Sequence, residues 1–131
     1  MLILVRREEV EKFVEKARGF EDLATYNFKR SRYDLAIFCA EQAAQIYIKA
    51  KLLELIGEFP RTHDLIKLLE ELSVVYEPEK VKKFLEDNFS VITKLIDAYI
   101  TSRYYIREFY EREVEEVLNF LLQLRRLLGY D

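Results

Sequence analysis

The sequence of 131 residues contains no tryptophan, one cysteine, one histidine, two prolines and three glycines. Each scarcity removes a class of protein. With Cys39 alone there is no internal disulfide, and with His63 as the only imidazole no usual zinc ligand set can be assembled. Cys39 lies in an apolar helical run, where a free thiol behaves as a small buried side chain and suits a reducing compartment. The shortage of Gly and Pro argues against an all-β chain, with its many turns, and against disorder. Gly19, Gly57 and Gly129 are far apart, so no glycine-rich phosphate loop is available. The chain also lacks an excess of positive charge: its net charge is −3 and its pI about 5.4, so any contact with nucleic acid has to be local. Met1 to Val5 is apolar but too short for a secretory or membrane-spanning segment before Arg6, Arg7 and Glu8. The expectation is a cytoplasmic protein with no membrane contact, no metal and no cofactor.

What is present has the composition of a helical bundle. Half the residues are hydrophobic and 34% are charged, and the length suits one domain over residues 1–131. Val10, Phe13, Val14, Ala17, Ala24 and Phe28 recur at steps of three, four and seven, predicting an amphipathic helix from about Arg7 to Phe28. Ser31 and Asp34 have the spacing of a cap and an acidic N3 residue for a second helix reaching Ile56, with Gly57 and Pro60 as its stop. Alanines dominate its stripe, which lets a neighbouring helix come close. Thr62 is the expected N-cap of a short third helix on Leu65, Leu68, Leu69 and Leu72. Pro78 opens a fourth, running to Tyr99 with a kink or break at Asn88 to Ser90. The last helix has the clearest register, Tyr110, Val114, Val117, Leu121, Leu124 and Leu128, and ends at Gly129. The fold class is therefore all-α: an up-and-down bundle of four long helices and one short one.

Just ahead of that last helix stands Thr101 to Tyr110, TSRYYIREFY, in which Arg103 and Arg107 are set among four aromatic rings. A purely local reading is available. Ser102 can cap the last helix, Tyr104 and Tyr105 can pack at the bundle end, Arg107 can pair with Glu111, and Tyr110 falls in the core register. The same tripeptide occurs at Ser31 to Tyr33, where capping explains it. Lys29, Arg30 and Arg32 form a modest positive cluster at that first junction, a second place for a nucleic acid or an acidic partner.

Tyr33-Asp34-Leu35-Ala36-Ile37-Phe38-Cys39-Ala40-Glu41-Gln42-Ala43-Ala44, Lys49-Ala50, Thr62-His63-Asp64-Leu65, Tyr99 and Ser102-Arg103-Tyr104 follow one another in an order that resembles the HEPN domain. This is a small helical module of prokaryotic and eukaryotic nucleotide-binding proteins. The resemblance covers most of the chain. It implies a bundle of four or five helices, a tendency to homodimerise, and a partnership with a separately encoded minimal nucleotidyltransferase. Other branches of the family are metal-independent ribonucleases, toxins of toxin–antitoxin pairs among them, whose signature is Arg, four to six residues, then His at a dimer cleft. Counting from Arg103 puts Glu108, Phe109 and Tyr110 where that histidine belongs, and Tyr105 stands where relatives often have proline.

Metal-free RNA cleavage needs an acid–base group working near neutral pH and a cation for the transition-state charge. Tyr110, with a reference pKa of ~10, is a poor base. The resemblance without its histidine thus implies a non-catalytic accessory protein that binds a nucleotide or a partner. Ser102, Arg103, Tyr104 and Tyr110 are the candidates for nucleotide or phosphate binding, and Arg32 and His63 the secondary ones. Two alternatives remain open at this point: a ribonuclease toxin that uses Arg103 with Tyr110 or His63, and a purely structural homo-oligomeric module.

Overall fold

The computed structural model describes the backbone of residues 2–104 and 107–131, and the side chains of residues 6–101 and 107–131. Among the described residues the secondary structure is all helical: α1 (Leu2–Lys29), α2 (Tyr33–Ile56), α3 (Leu65–Val75), α4 (Pro78–Asp87), α5 (Phe89–Tyr104) and α6 (Glu111–Leu128). The all-α expectation holds, with one correction to the element list. The anticipated fourth helix is two helices, because Asn88 leaves helical geometry (φ −111°, ψ 14°) and its side-chain amide donates to the Phe84 carbonyl at 2.9 Å, closing α4. Among the described residues the bundle therefore has four longer helices and two short ones, α3 and α4.

Two predicted caps are also corrected. Ser31 does not open α2; it closes α1 in the left-handed region at φ 60°. Its N–H donates to the Phe28 carbonyl, and the Arg32 N–H reaches back to the Asn27 carbonyl at 2.9 Å, the paired bonds of a Schellman turn. The spacing of Ser31 and Asp34 imitated an N-cap, but satisfying the orphan carbonyls of a 28-residue helix took the serine instead. At α3 the N-cap is Asp64, whose Oδ1 accepts from Ile66 N–H at 2.9 Å; Thr62 supports it by accepting from Asp64 N–H at 3.1 Å. Gly57 (φ 79°) and Gly129 (φ 77°) take the left-handed C-cap positions anticipated for them.

α2 is the centre of the fold. It packs most extensively on α1 and also touches α3, α5 and α6. Phe28 meets Tyr33 at the α1–α2 turn, while Phe13 meets Phe59 at the other end, so the two helices run antiparallel. Close approach is possible because Ala17 and Ala24 of α1 and Ala36, Ala40, Ala43, Ala44 and Ala50 of α2 are all fully buried. The outer helices supply the bulk: Leu65, Leu68, Leu69 and Leu72 from α3, Ile92 and Leu95 from α5, and Val114, Val117, Phe120, Leu121, Leu124 and Leu128 from α6. Cys39 is buried among them, as expected, and burial pushes its thiol pKa up.

A polar joint ties α1, α2 and α6. The Tyr47 hydroxyl donates to Glu21 Oε1 at 2.7 Å, and Arg125 Nε lies 3.0 Å from the same oxygen as an ion pair without hydrogen-bond alignment. Burial, then the Glu21 carboxylate, hold the Tyr47 phenol well above its ordinary pKa. Because Ala43 is fully buried, Ala43→Leu is expected to destabilise the bundle by about 1–3 kcal/mol, as overpacking does. Urea unfolding measures this, and an unchanged midpoint would mean that α1 and α2 are not in close contact there.

Candidate functional site

α2 carries a polar stripe through its apolar surroundings. Glu41, Gln45 and Lys49 are spaced by four, which places them one above another on a single helix face. Glu41 has no exposed surface and Gln45 is 4% exposed. A carboxyl group in such a position needs hydrogen-bond partners, since burying it bare costs several kcal/mol or more. It has two on its own helix: Gln42 Nε2 donates to Glu41 Oε1 at 2.9 Å, and Gln45 Nε2 donates to Oε2 at 2.6 Å.

Gln45 is then committed at one end of its amide, and its Oε1 faces His63 Nδ1 at 3.2 Å. His63 is brought there by the connection between α2 and α3, which Gly57 starts and the Thr62–Asp64 turn ends. Its ring stacks on Tyr99 of α5, with centroids 5.3 Å apart and planes inclined by 28°. Lys49, half-buried one turn beyond Gln45, holds its ammonium over the Phe59 ring at 5.6 Å. Burial lowers its pKa, and the Glu41 charge opposes that shift without cancelling it. Glu41, Gln45, Lys49, His63 and Tyr99 thus join three elements at one place: the middle of α2, the entry to α3 and the end of α5.

The sequence-derived candidates divide on this geometry. His63 is in the cluster. Ser102, Arg103 and Tyr104 form the last turn of α5, and Arg103 sits four residues after Tyr99, hence one turn along the same face. Their side chains, with Tyr105 and Ile106, lie outside the described residues. Since α5 runs through Tyr104, Ser102 cannot be the cap of α6. Tyr110 is 76% exposed, which corrects its place in the core register. α6 begins one residue later, and Tyr110 is its N-cap with extended backbone, outside the helical period. Arg32 is the exposed N-cap residue of α2, roughly 20 Å from Gln45 along the helix axis at 1.5 Å per residue.

Four residues of the cluster were not among the candidates read from the sequence: Glu41, Lys49 and Tyr99, which entered only as parts of the family blocks, and Gln45. The signal for Glu41 and Gln45 was present, because a Glu and a Gln at i,i+4 on the small-residue stripe of a central helix have to satisfy each other or a neighbour. A concavity lies elsewhere. A groove of about 850 Å³ follows α1 past Arg6, Val10, Val14 and Arg18 to Tyr130. Two of its arginines are occupied with the ends of other elements, Arg6 donating to the Glu54 carbonyl at 3.5 Å and Arg18 to the Tyr130 carbonyl at 3.1 Å.

Behind the end of α5, the start of α6 is anchored by Glu113. Its Oε1 accepts from the Tyr110 N–H at 3.0 Å, while Oε2 lies 3.4 Å from Lys94 Nζ on α5 and 3.3 Å from Arg107 Nη2. Arg107 pairs here rather than with Glu111, because the extended backbone before α6 removes the i,i+4 relation.

The family model of the HEPN domain matches residues 10–129. That span takes in Glu41, Gln45, Lys49, His63, Tyr99 and Arg103. No curated protein matches the chain.

The Glu113 junction titrates. Burial raises its pKa, but the Tyr110 hydrogen bond and the Lys94 and Arg107 charges outweigh burial and hold it below the usual carboxylate value. A depressed carboxylate contributes stability that is present above the unfolded-state pKa and is lost as pH falls through the folded one. Glu113→Gln is therefore expected to be less stable than the parent at pH 7, with the gap closing below about pH 4. Urea unfolding across that range checks it, and a gap independent of pH would remove Glu113 from the junction.

Proposed function

This chain belongs to the HEPN domain family, and on that premise we propose that it is a non-catalytic HEPN subunit that binds a nucleotide at the His63–Tyr99 cluster and acts with a separately encoded nucleotidyltransferase. The observation that carries the reading is the convergence of Gln45, His63 and Tyr99 one helical turn from Arg103. A flat aromatic pair can stack a base, and an Arg and a Lys nearby can neutralise phosphate. The chain has no histidine five to seven positions after Arg103, where the ribonuclease branch places its acid–base group.

A homodimer belongs to the same proposal. Leu23 of α1 and Leu35 of α2 are 49% and 46% exposed, and a second copy is the partner assigned to them. Cytoplasmic residence suits the free Cys39, and no helix among the described residues is long and apolar enough to cross a membrane.

One observation favours the enzymatic alternative. Gln45 orients His63, so an imidazole stands close to the Arg103 turn although it comes from a different part of the chain. In that reading His63 takes the role of the missing histidine in metal-independent cleavage of RNA.

Arg103→Ala is expected to weaken nucleotide binding about tenfold to a hundredfold, the loss of a charged hydrogen-bonding group, while the fold is kept. Calorimetry with AMP and ATP measures it, alongside co-elution with the co-expressed nucleotidyltransferase. If no nucleotide binds and no complex forms, the accessory reading fails. Cleavage of RNA in EDTA that disappears in His63→Ala would replace it with the ribonuclease.

A further inference from the structure

Gln45 determines more than the position of His63. Its Nε2 is 2.6 Å from Glu41 Oε2, and with that carboxyl ionised, hence an acceptor only, the reverse amide orientation would set two acceptor oxygens at that distance. The oxygen end of the amide is therefore the end that meets His63 Nδ1 at 3.2 Å. A carbonyl oxygen only accepts, so Nδ1 carries the proton and donates it. In the neutral imidazole the other nitrogen, Nε2, is then a bare acceptor. The buried carboxyl of Glu41 thus acts on His63 through an intervening amide, and the amide selects a tautomer without setting a carboxylate against the ring.

We propose that Glu41 and Gln45 are positioning residues that lock His63 as the Nδ1–H tautomer, so that Nε2 receives a hydrogen bond from an O–H or N–H group of a nucleoside rather than from its phosphate. The inference rests on the nucleotide-binding reading above and divides that site in two. A phosphate monoester at neutral pH is mainly an acceptor, and a neutral Nε2 offers it no proton. Phosphate belongs instead to a cation such as Lys49, one turn beyond Gln45 on α2. A ribose hydroxyl or an exocyclic amino group has the proton that Nε2 lacks. The ring stack with Tyr99 keeps the imidazole plane from turning, which preserves the direction of that lone pair.

His63 is the only histidine, so the side-chain nitrogen spectrum of the ¹⁵N-labelled protein, freed of any tag, contains a single imidazole. The expected result above pH 7.5 is a protonated Nδ1 and a bare Nε2. In Glu41→Gln, which keeps shape but removes the group that can only accept, the two tautomers should average and both nitrogen shifts move together. Circular dichroism of that variant reports its fold, and the wild-type spectrum tests the tautomer without any substitution. Adenosine is expected to shift Nε2, whereas inorganic phosphate at the same concentration leaves it in place. An Nε2–H tautomer in the wild type overturns the inference, and so does an Nε2 that responds to phosphate or ignores adenosine. Calorimetry with AMP and ATP separates the two levels: binding of either with His63 unmoved sinks this assignment alone, and binding of neither sinks the nucleotide reading with it.

Discussion

A carboxyl group with no exposed surface, in the middle of the helix that every longer helix packs against, is the constraint from which the site follows. Glu41 has to be hydrogen-bonded where it stands, because an unpaired carboxyl in a packed interior costs more than most single contacts supply. Gln42 and Gln45 answer that demand from the same helix. Gln45 is left with one free amide end, and His63 meets it. The stacking of His63 on Tyr99 then joins α5 to the same point. A requirement for burial in α2 is in this way converted, step by step, into the orientation of a ring at the surface.

The remainder of the bundle keeps that sequence of contacts in register. Alanines at the α1–α2 contact set a short interhelical distance, and the Glu21–Tyr47–Arg125 joint pins α6 to both helices. Glu113 and Lys94 hold the start of α6 against α5. The short helices complete the arrangement. Asp64 caps α3 directly after His63, and the cap therefore limits where that imidazole can go.

Much of the fold was legible because the apolar periodicity of the helices is strong and the two left-handed glycines mark the ends of α2 and α6. Errors came where one local pattern served two structural purposes. Ser31 has the spacing of an N-cap but closes the preceding helix, and Tyr110 continues the α6 register while lying outside the helix. Asn88 could be recognised as a breaker, although the full separation of α4 from α5 depends on its side chain reaching the Phe84 carbonyl. At the site, the order of the family blocks pointed to the α2 run, His63, Tyr99 and Arg103. Which of these residues touch is a tertiary fact: His63 and Gln45 are eighteen positions apart, and no period in the sequence joins them.

The central claim is that the cluster at the middle of α2, the entry to α3 and the end of α5 is the nucleotide site. Amide chemical-shift mapping of the ¹⁵N-labelled protein with AMP tests it most directly. The account predicts that the largest shifts fall on Gln45, Lys49, His63, Tyr99 and Thr101. Shifts confined to Lys29, Arg30 and Arg32, or to the groove beside Arg18 and Tyr130, would contradict it.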